Sequence, residues 1–215
     1  MFASRLLIYI LFAAALSSAQ AATLPRRLFV IDPGHGVRTP SGAPLNVGAV
    51  SRWGLSEARI NVLVSERVAA RLRAKGARVI LTRSFSHVYR TNTDPRSDNR
   101  ARAALANRLA ATAFIAIHCD SSLDPLRHGY SVFWLHQNSV RMAANMRRAL
   151  SSLGLGESQF RPRELAVTKQ ATVPAVLVEL GFISNRKQAA RLADPRFQDR
   201  EASAIVSALQ ETFGY

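Results

Sequence analysis

Short apolar runs alternate with longer stretches of mixed polarity along most of this chain, and the alternation predicts its elements. Leu28-Phe-Val-Ile31, Val79-Ile-Leu81, Phe114-Ile-Ala-Ile117, Val132-Phe-Trp-Leu135 and Val176-Leu-Val178 are short, continuous and rich in β-branched and aromatic residues. That is the pattern of strands buried on both faces. Between them Ile60, Leu63, Val64, Val68 and Leu72 recur at helical spacing. Residues 103–110 and 140–150 have helix-forming composition. Ile205, Val206, Leu209 and Phe213 mark a closing amphipathic helix, with Pro195 suited to its first turn. Strands alternating with helices predict an α/β fold: a single domain with a mainly parallel twisted sheet and helices on both faces. Two stretches lack either period. Residues 38–53, which include Thr39-Pro-Ser-Gly-Ala-Pro44, and residues 153–162 read as surface loops.

The N-terminus departs from this alternation. Arg5 precedes an unbroken apolar run over residues 6–16, which Ser17, Ser18 and Gln20 close before Ala21. A membrane span needs roughly 20 apolar residues, so the run is short for one and has the order of a secretory signal peptide. The expected organisation is a signal peptide over 1–21 and one catalytic domain over 22–215. The mature protein would then be periplasmic or secreted, with no stable membrane insertion after cleavage. An uncleaved anchor is the competing reading of the same residues.

Composition narrows the chemistry further. A chain of 215 residues has room for a core of normal size without cross-links. Its single cysteine, Cys119, rules out an internal disulfide framework and a Cys-only zinc cluster. Lys and Arg outnumber Asp and Glu by 29 to 14, a formal charge of +15. The arginines are dispersed rather than gathered into a stripe with interleaved aromatics, so no nucleic-acid partner is expected. An acidic surface such as cell wall or lipopolysaccharide is the better counterpart, reached by salt-dependent long-range steering.

In a sheet of this kind, reactive groups collect where the carboxyl ends of strands open into loops. The first strand ends in Ile31-Asp-Pro-Gly-His-Gly36, a central one in Ile117-His-Cys-Asp-Ser121 and a late one in Val178-Glu-Leu-Gly-Phe182. Glu57 begins the first long helix, where Ser56 is placed to cap it. Two imidazoles, a carboxylate and one open position make a catalytic zinc site, at which water ionises near pH 7. A second carboxylate, left unligated, would take the proton from water and pass it to the leaving group. His35, His118, Glu57 and Glu179 supply such a set. Cys119 follows His118 in a strand and so points to the opposite, packed face, which argues against a thiol nucleophile. His87, His128 and His136 have no partner pattern and read as incidental.

The same residues carry a resemblance. Val30-Ile-Asp-Pro-Gly-His-Gly36, Gly54-Leu-Ser-Glu57 with Asn61, Val79-Ile-Leu-Thr-Arg83, Arg102 with Ala106-Asn107, Phe114-Ile-Ala-Ile-His118 and Pro174-Ala-Val-Leu-Val-Glu-Leu-Gly-Phe-Ile-Ser-Asn185 stand in the order found in the zinc-dependent N-acetylmuramoyl-L-alanine amidases of the amidase 3 family. The chain resembles that family from about residue 27 to residue 213. The resemblance implies Zn2+ held by His35, Glu57 and His118, with Glu179 catalytic. It implies peptidoglycan as substrate, cut between N-acetylmuramic acid and the L-alanine of the stem peptide. The alternatives are another zinc-dependent amide or peptide hydrolase on the same scaffold, or a wall-binding module without catalysis. A protein activator is left open. Arg102 and Asn107 read as braces of the fold, Asp32 as a tie for the turn that presents His35, and Ser184 or Asn185 as the cap of a helix starting at Arg186.

Overall fold

The apolar runs become strands because each is long enough to bury and has no polar interruption before its carboxyl end. The computed structural model describes Leu24, residues 26–84 and residues 94–214; the expected signal peptide and His87 lie outside the described residues. In chain order the elements are β1 (Leu28–Pro33), β2 (Val37–Arg38), β3 (Pro44–Asn46), α1 (Glu57–Ala74), β4 (Arg78–Leu81), α2 (Pro95–Arg108), β5 (Ala113–Asp120), β6 (Tyr130–Trp134), α3 (Val140–Ser151), β7 (Glu157–Pro162), α4 (Ala166–Gln170), β8 (Ala175–Phe182), α5 (Arg186–Ala193) and α6 (Pro195–Phe213). Six strands form the main sheet in the order β4-β1-β5-β8-β6-β7. The pairs β4/β1, β1/β5, β5/β8 and β6/β7 are parallel, and only β6 against β8 is antiparallel. This is the α/β fold with a mainly parallel sheet that the apolar spacing predicts.

Alternation along the strands divides the core in two. Phe29, Ile31, Ile115, Ile117, Cys119, Val176 and Val178 face α1, α3 and α6. Val30, Phe114, Ala116 and Leu177 face Ala103 and Ala106 of α2 and Val167 of α4. His118 and Glu179 continue the second row toward the carboxyl end of the sheet. The helices end as their sequences suggest. Asn185 caps α5 by accepting from the amides of Lys187 and Gln188, and Asp194 caps α6 with Pro195 in its first turn.

Three expectations change. Ser56 precedes α1, but its hydroxyl makes no capping bond. The approach loop does that work with its own backbone, since the Glu57 amide donates to the Ala49 carbonyl and Val50 bridges to Ser56. Residues 153–162 are not a loop throughout, because β7 lies within them as an edge strand beside β6. An edge strand needs only one packed face, and Phe160 alone supplies its apolar anchor, so the sequence shows no period. Residues 38–53 contribute to a small antiparallel pair, β2 with β3, rather than a bare loop. No helix among the described residues is long and apolar enough to cross a membrane.

Candidate metal centre

His35 stands in the turn after β1 with φ of 62°, a left-handed conformation that a non-glycine residue adopts at a cost of order 1 kcal/mol. Its surroundings impose that conformation. The Gly34 amide donates to the Ile117 carbonyl of β5. Arg83, just past β4, donates from Nε to the Pro33 carbonyl and from Nη2 to the carbonyls of Gly34 and Ala58. One guanidinium therefore fastens the His35 turn to the first turn of α1, where Glu57 sits. Asn61, one helical turn on, also donates to the Gly34 carbonyl.

The cluster itself comes from three segments. His35 Nε2 lies 3.1 Å from Glu57 Oε1, and His118 Nδ1 lies 3.2 Å from the same oxygen. The two imidazole rings meet edge to face with centres 4.9 Å apart. One ligating atom from each of His35, Glu57 and His118 falls within 4.8 Å of the others. Glu57 is 4% exposed. It accepts from the Ala49 amide at 2.9 Å and the Cys119 amide at 3.3 Å. Two glycines make the approach possible. A Cβ on Gly34 would lie 2.2 Å from the His118 ring, and one on Gly48 would lie 2.8 Å from both Glu57 Oε2 and the His35 ring. Gly48 has φ of 69°, which favours glycine independently.

The donor set tests whether a cation belongs here. His35 Nδ1 lies 2.6 Å from Asn46 Oδ1, so that nitrogen carries the proton and Nε2 presents a lone pair toward Glu57. A lone pair and a carboxylate oxygen at 3.1 Å repel unless a proton or a cation lies between them. Two neutral imidazoles and one anionic carboxylate around a common focus fit a divalent ion, with Asn46 orienting a ligand as outer partners of metal sites do. With protons in place of a cation, burial works to raise the Glu57 carboxyl, but hydrogen bonds from protonated His118 and His35 and their charges outweigh it and hold the group well below the usual carboxylate range.

Glu179 stands beside this cluster. In the parallel pairing of β5 with β8 it is in register with His118, so the two side chains share a face. Its Oε2 is buried and has no hydrogen-bond partner. Burial, followed by the charges of Glu57 and Asp120, pushes its carboxyl well above 4.5, and Arg163 opposes them. An orphaned carboxylate oxygen of this kind is costly unless something else engages it.

The remaining expectations are met unevenly. Cys119 is buried on the opposite face, and burial first, then Glu57 and Glu201, push its thiol well up, which disfavours a nucleophile. His128 is exposed and His136 half-buried, and they hydrogen-bond to the carbonyls of Leu126 and Lys169. Asp32 does not touch the His35 turn directly. It accepts from Thr82 and Arg102, joining the end of β1 to the end of β4 and to α2. Arg102 is 1% exposed and is shared between Asp32 and Asp98. Asn107 braces α2 against the segment before β8 through the Gln170 carbonyl and the Thr172 amide. Sequence reasoning missed Asn46, Gly48 and the clamp made by Arg83. Arg83 belongs to a motif but carries no pattern of its own, and Asn46 lies in a stretch without periodicity.

The fold and the cluster define an α/β enzyme domain with a candidate metal centre at the carboxyl end of its sheet. The N-acetylmuramoyl-L-alanine amidase family model matches residues 29–211, and the chain belongs to that family. It is 31% identical to the uncharacterized protein YqiI of Bacillus subtilis over 200 residues, covering 91% of this chain and 89% of YqiI. It is 30% identical to the N-acetylmuramoyl-L-alanine amidase LytC of the same organism over 180 residues, which is 81% of this chain but only 33% of LytC. Among solved structures, the catalytic domain of the amidase CwlV from Bacillus (Paenibacillus) polymyxa superposes with a TM-score of 0.75 at 29% identity, covering 86% of this chain and 97% of that one.

Proposed function

We propose that this chain hydrolyses peptidoglycan at the amide between the lactyl group of N-acetylmuramic acid and the L-alanine of the stem peptide, with zinc at His35, Glu57 and His118 and with Glu179 as proton carrier. One observation carries the reading: three ligating atoms from distant segments converge within 4.8 Å, beside a buried carboxylate oxygen with no hydrogen-bond partner among the described residues. The imidazole and carboxylate donors suit zinc among the divalent ions. When bound, zinc supplies Lewis acidity, polarising a carbonyl oxygen and making water ionisable near neutral pH.

The protein's own groups supply the rest. Asn46 and the backbone amides of Ala49 and Cys119 fix the orientation of His35 and Glu57. Glu179 Oε2 receives a proton from the attacking water and returns it to the nitrogen of L-alanine as the C–N bond breaks. The water oxygen remains on the lactyl carboxyl with the second proton of the water, which passes to solvent as that acid ionises, and the amine departs neutral, so the proton balance closes. A raised carboxyl suits this exchange, since it holds a proton readily and still releases it to an amine. The cell wall as substrate places the work outside the cytoplasm, in line with residues 1–21 as an export signal ahead of the catalytic domain.

Incubation of purified sacculi with the protein, followed by mass spectrometry, tests the proposal. New L-alanine amino termini are expected, disappearing with a zinc chelator and returning with added zinc. Glu179→Gln should still bind zinc while turnover falls by about 10²- to 10⁴-fold. Other new termini would indicate a peptidase, no new termini a wall-binding module, and unchanged turnover in Glu179→Gln would remove that residue from the chemistry.

A further inference from the structure

Near Glu179, two arginines stack on rings of β6 and β8 and form no ion pair among the described residues. Across β8 lies β6, where Ser131 pairs with Glu179 and Phe133 with Leu177, so Phe133 occupies the next row on the face that Glu179 shares. The Arg163 guanidinium lies over the Phe133 ring, 5.0 Å from its centre. Arg127 lies over Phe182 at the end of β8, at 5.4 Å. Both arginines are exposed. Their charges reach the site, because Arg163 opposes the upward push on Glu179 and both oppose it on Asp120. Among the described residues, neither has a carboxylate within ion-pair distance, in contrast to Arg67, Arg71, Arg102 and Arg147. Stacking on a ring fixes the plane of a guanidinium and leaves its N–H edge free. That edge matches a carboxylate through two parallel hydrogen bonds.

Strand order gives the direction of the substrate. The His35, Glu57 and His118 cluster lies at β1, β5 and α1, Glu179 on β8 comes next, and Arg163 lies over β6 beyond it. An acyl carbonyl at the cluster and a leaving nitrogen at Glu179 send the departing peptide outward across β6. Neighbouring strands lie about 4.8 Å apart and one extended residue spans about 3.4 Å. A carboxylate one or two residues past the scissile nitrogen therefore comes within reach of Arg163.

We infer that Arg163, with Arg127 beside it, receives a free carboxylate of the stem peptide just past the scissile amide, so that the chain prefers acidic stems over amidated ones. This rests on the amidase reading and adds a specificity determinant to it. The test uses two synthetic N-acetylmuramoyl tripeptides that differ only in having a free acid or an amide on the residue after L-alanine, with the product ends identified. The wild type should favour the acid by about tenfold in kcat/KM. Arg163→Gln, and more fully Arg163→Gln with Arg127→Gln, should bring the ratio near one by lowering kcat/KM for the acid substrate much more than for the amide. Arg200→Gln, which removes another exposed ring-stacked arginine near the start of α6, a helix packed on the opposite face of the sheet, should leave the ratio unchanged. The inference is overturned by equal wild-type rates on the two substrates, by a ratio that survives the double substitution, by parallel loss of both substrates in Arg163→Gln, or by an equal drop in Arg200→Gln. Cleavage elsewhere than at the muramoyl amide would instead overturn the amidase reading itself, and this inference with it.

Discussion

At Glu201 a single carboxyl is buried without a hydrogen-bond partner among the described residues. It is on α6, 0% exposed, and neither of its carboxylate oxygens has a hydrogen-bond partner. Burial alone pushes its pKa well above 4.5. A carboxyl whose pKa is higher in the folded state stabilises the fold fully below its unfolded value, and the contribution is lost as pH rises through the folded value. Stability should therefore decline from mildly acidic toward alkaline pH. Glu201→Leu, similar in volume, removes both the charge and the unsatisfied oxygens. Urea denaturation should show it about 1–3 kcal/mol more stable than wild type at pH 8 and less advantaged at pH 5. Glu57 shows the opposite outcome of burial, because two imidazoles reverse the desolvation and keep it anionic. The difference between the two residues lies in their neighbours, not in their identity.

The elements matter to the site through how their ends are joined. β1 ends in the His35 turn and α1 begins with Glu57, and Arg83 ties the two by bonding the Pro33, Gly34 and Ala58 carbonyls. Arg83→Met keeps much of the side-chain volume but abandons three carbonyls near the cluster. Outer-shell changes at metal sites cost about 10- to 100-fold in affinity, and a loss of that size is expected in a zinc titration of the purified variant. Lys in place of Arg should recover little, since one ammonium cannot span three acceptors held in a fork. A normal affinity in Arg83→Met would show that the turn is held sufficiently by the Gly34 amide and Asn61 alone.

For the molecule as a whole, the excess of basic residues is expected to steer its encounter with an anionic wall. The formal charge of +15 is spread over the surface, and several arginines pair internally with Asp199, Asp98 and Glu157. Attraction to an anionic wall is then a diffuse, screened effect. Raising ionic strength from about 0.1 M to about 1 M shortens the screening length from about 10 Å to about 3 Å. Sedimentation of Glu179→Gln with sacculi should show binding falling at least about tenfold over that range. Turnover of a small muropeptide at saturating concentration should change far less. Salt-independent binding would mean that shape and hydrogen bonding at the cleft, not charge, hold the enzyme on the wall.

What the sequence by itself determined is whatever depends on local pattern. The buried strands β1, β4, β5, β6 and β8 and the helices α1, α3 and α6 follow from apolar spacing, and the four groups His35, Glu57, His118 and Glu179 stand out because polar residues end otherwise apolar strands or open a helix. The polar edge strand β7 and the pair β2 with β3 stayed hidden, because one packed side chain leaves no period to read. Tertiary structure alone decided the convergence: that Nε2 of His35 and Nδ1 of His118 meet at one oxygen, that Gly34 and Gly48 make room for them, and that Asn46 and Arg83 hold them there. Distances between residues far apart in the chain depend on register and strand order, which arise only when the whole sheet assembles.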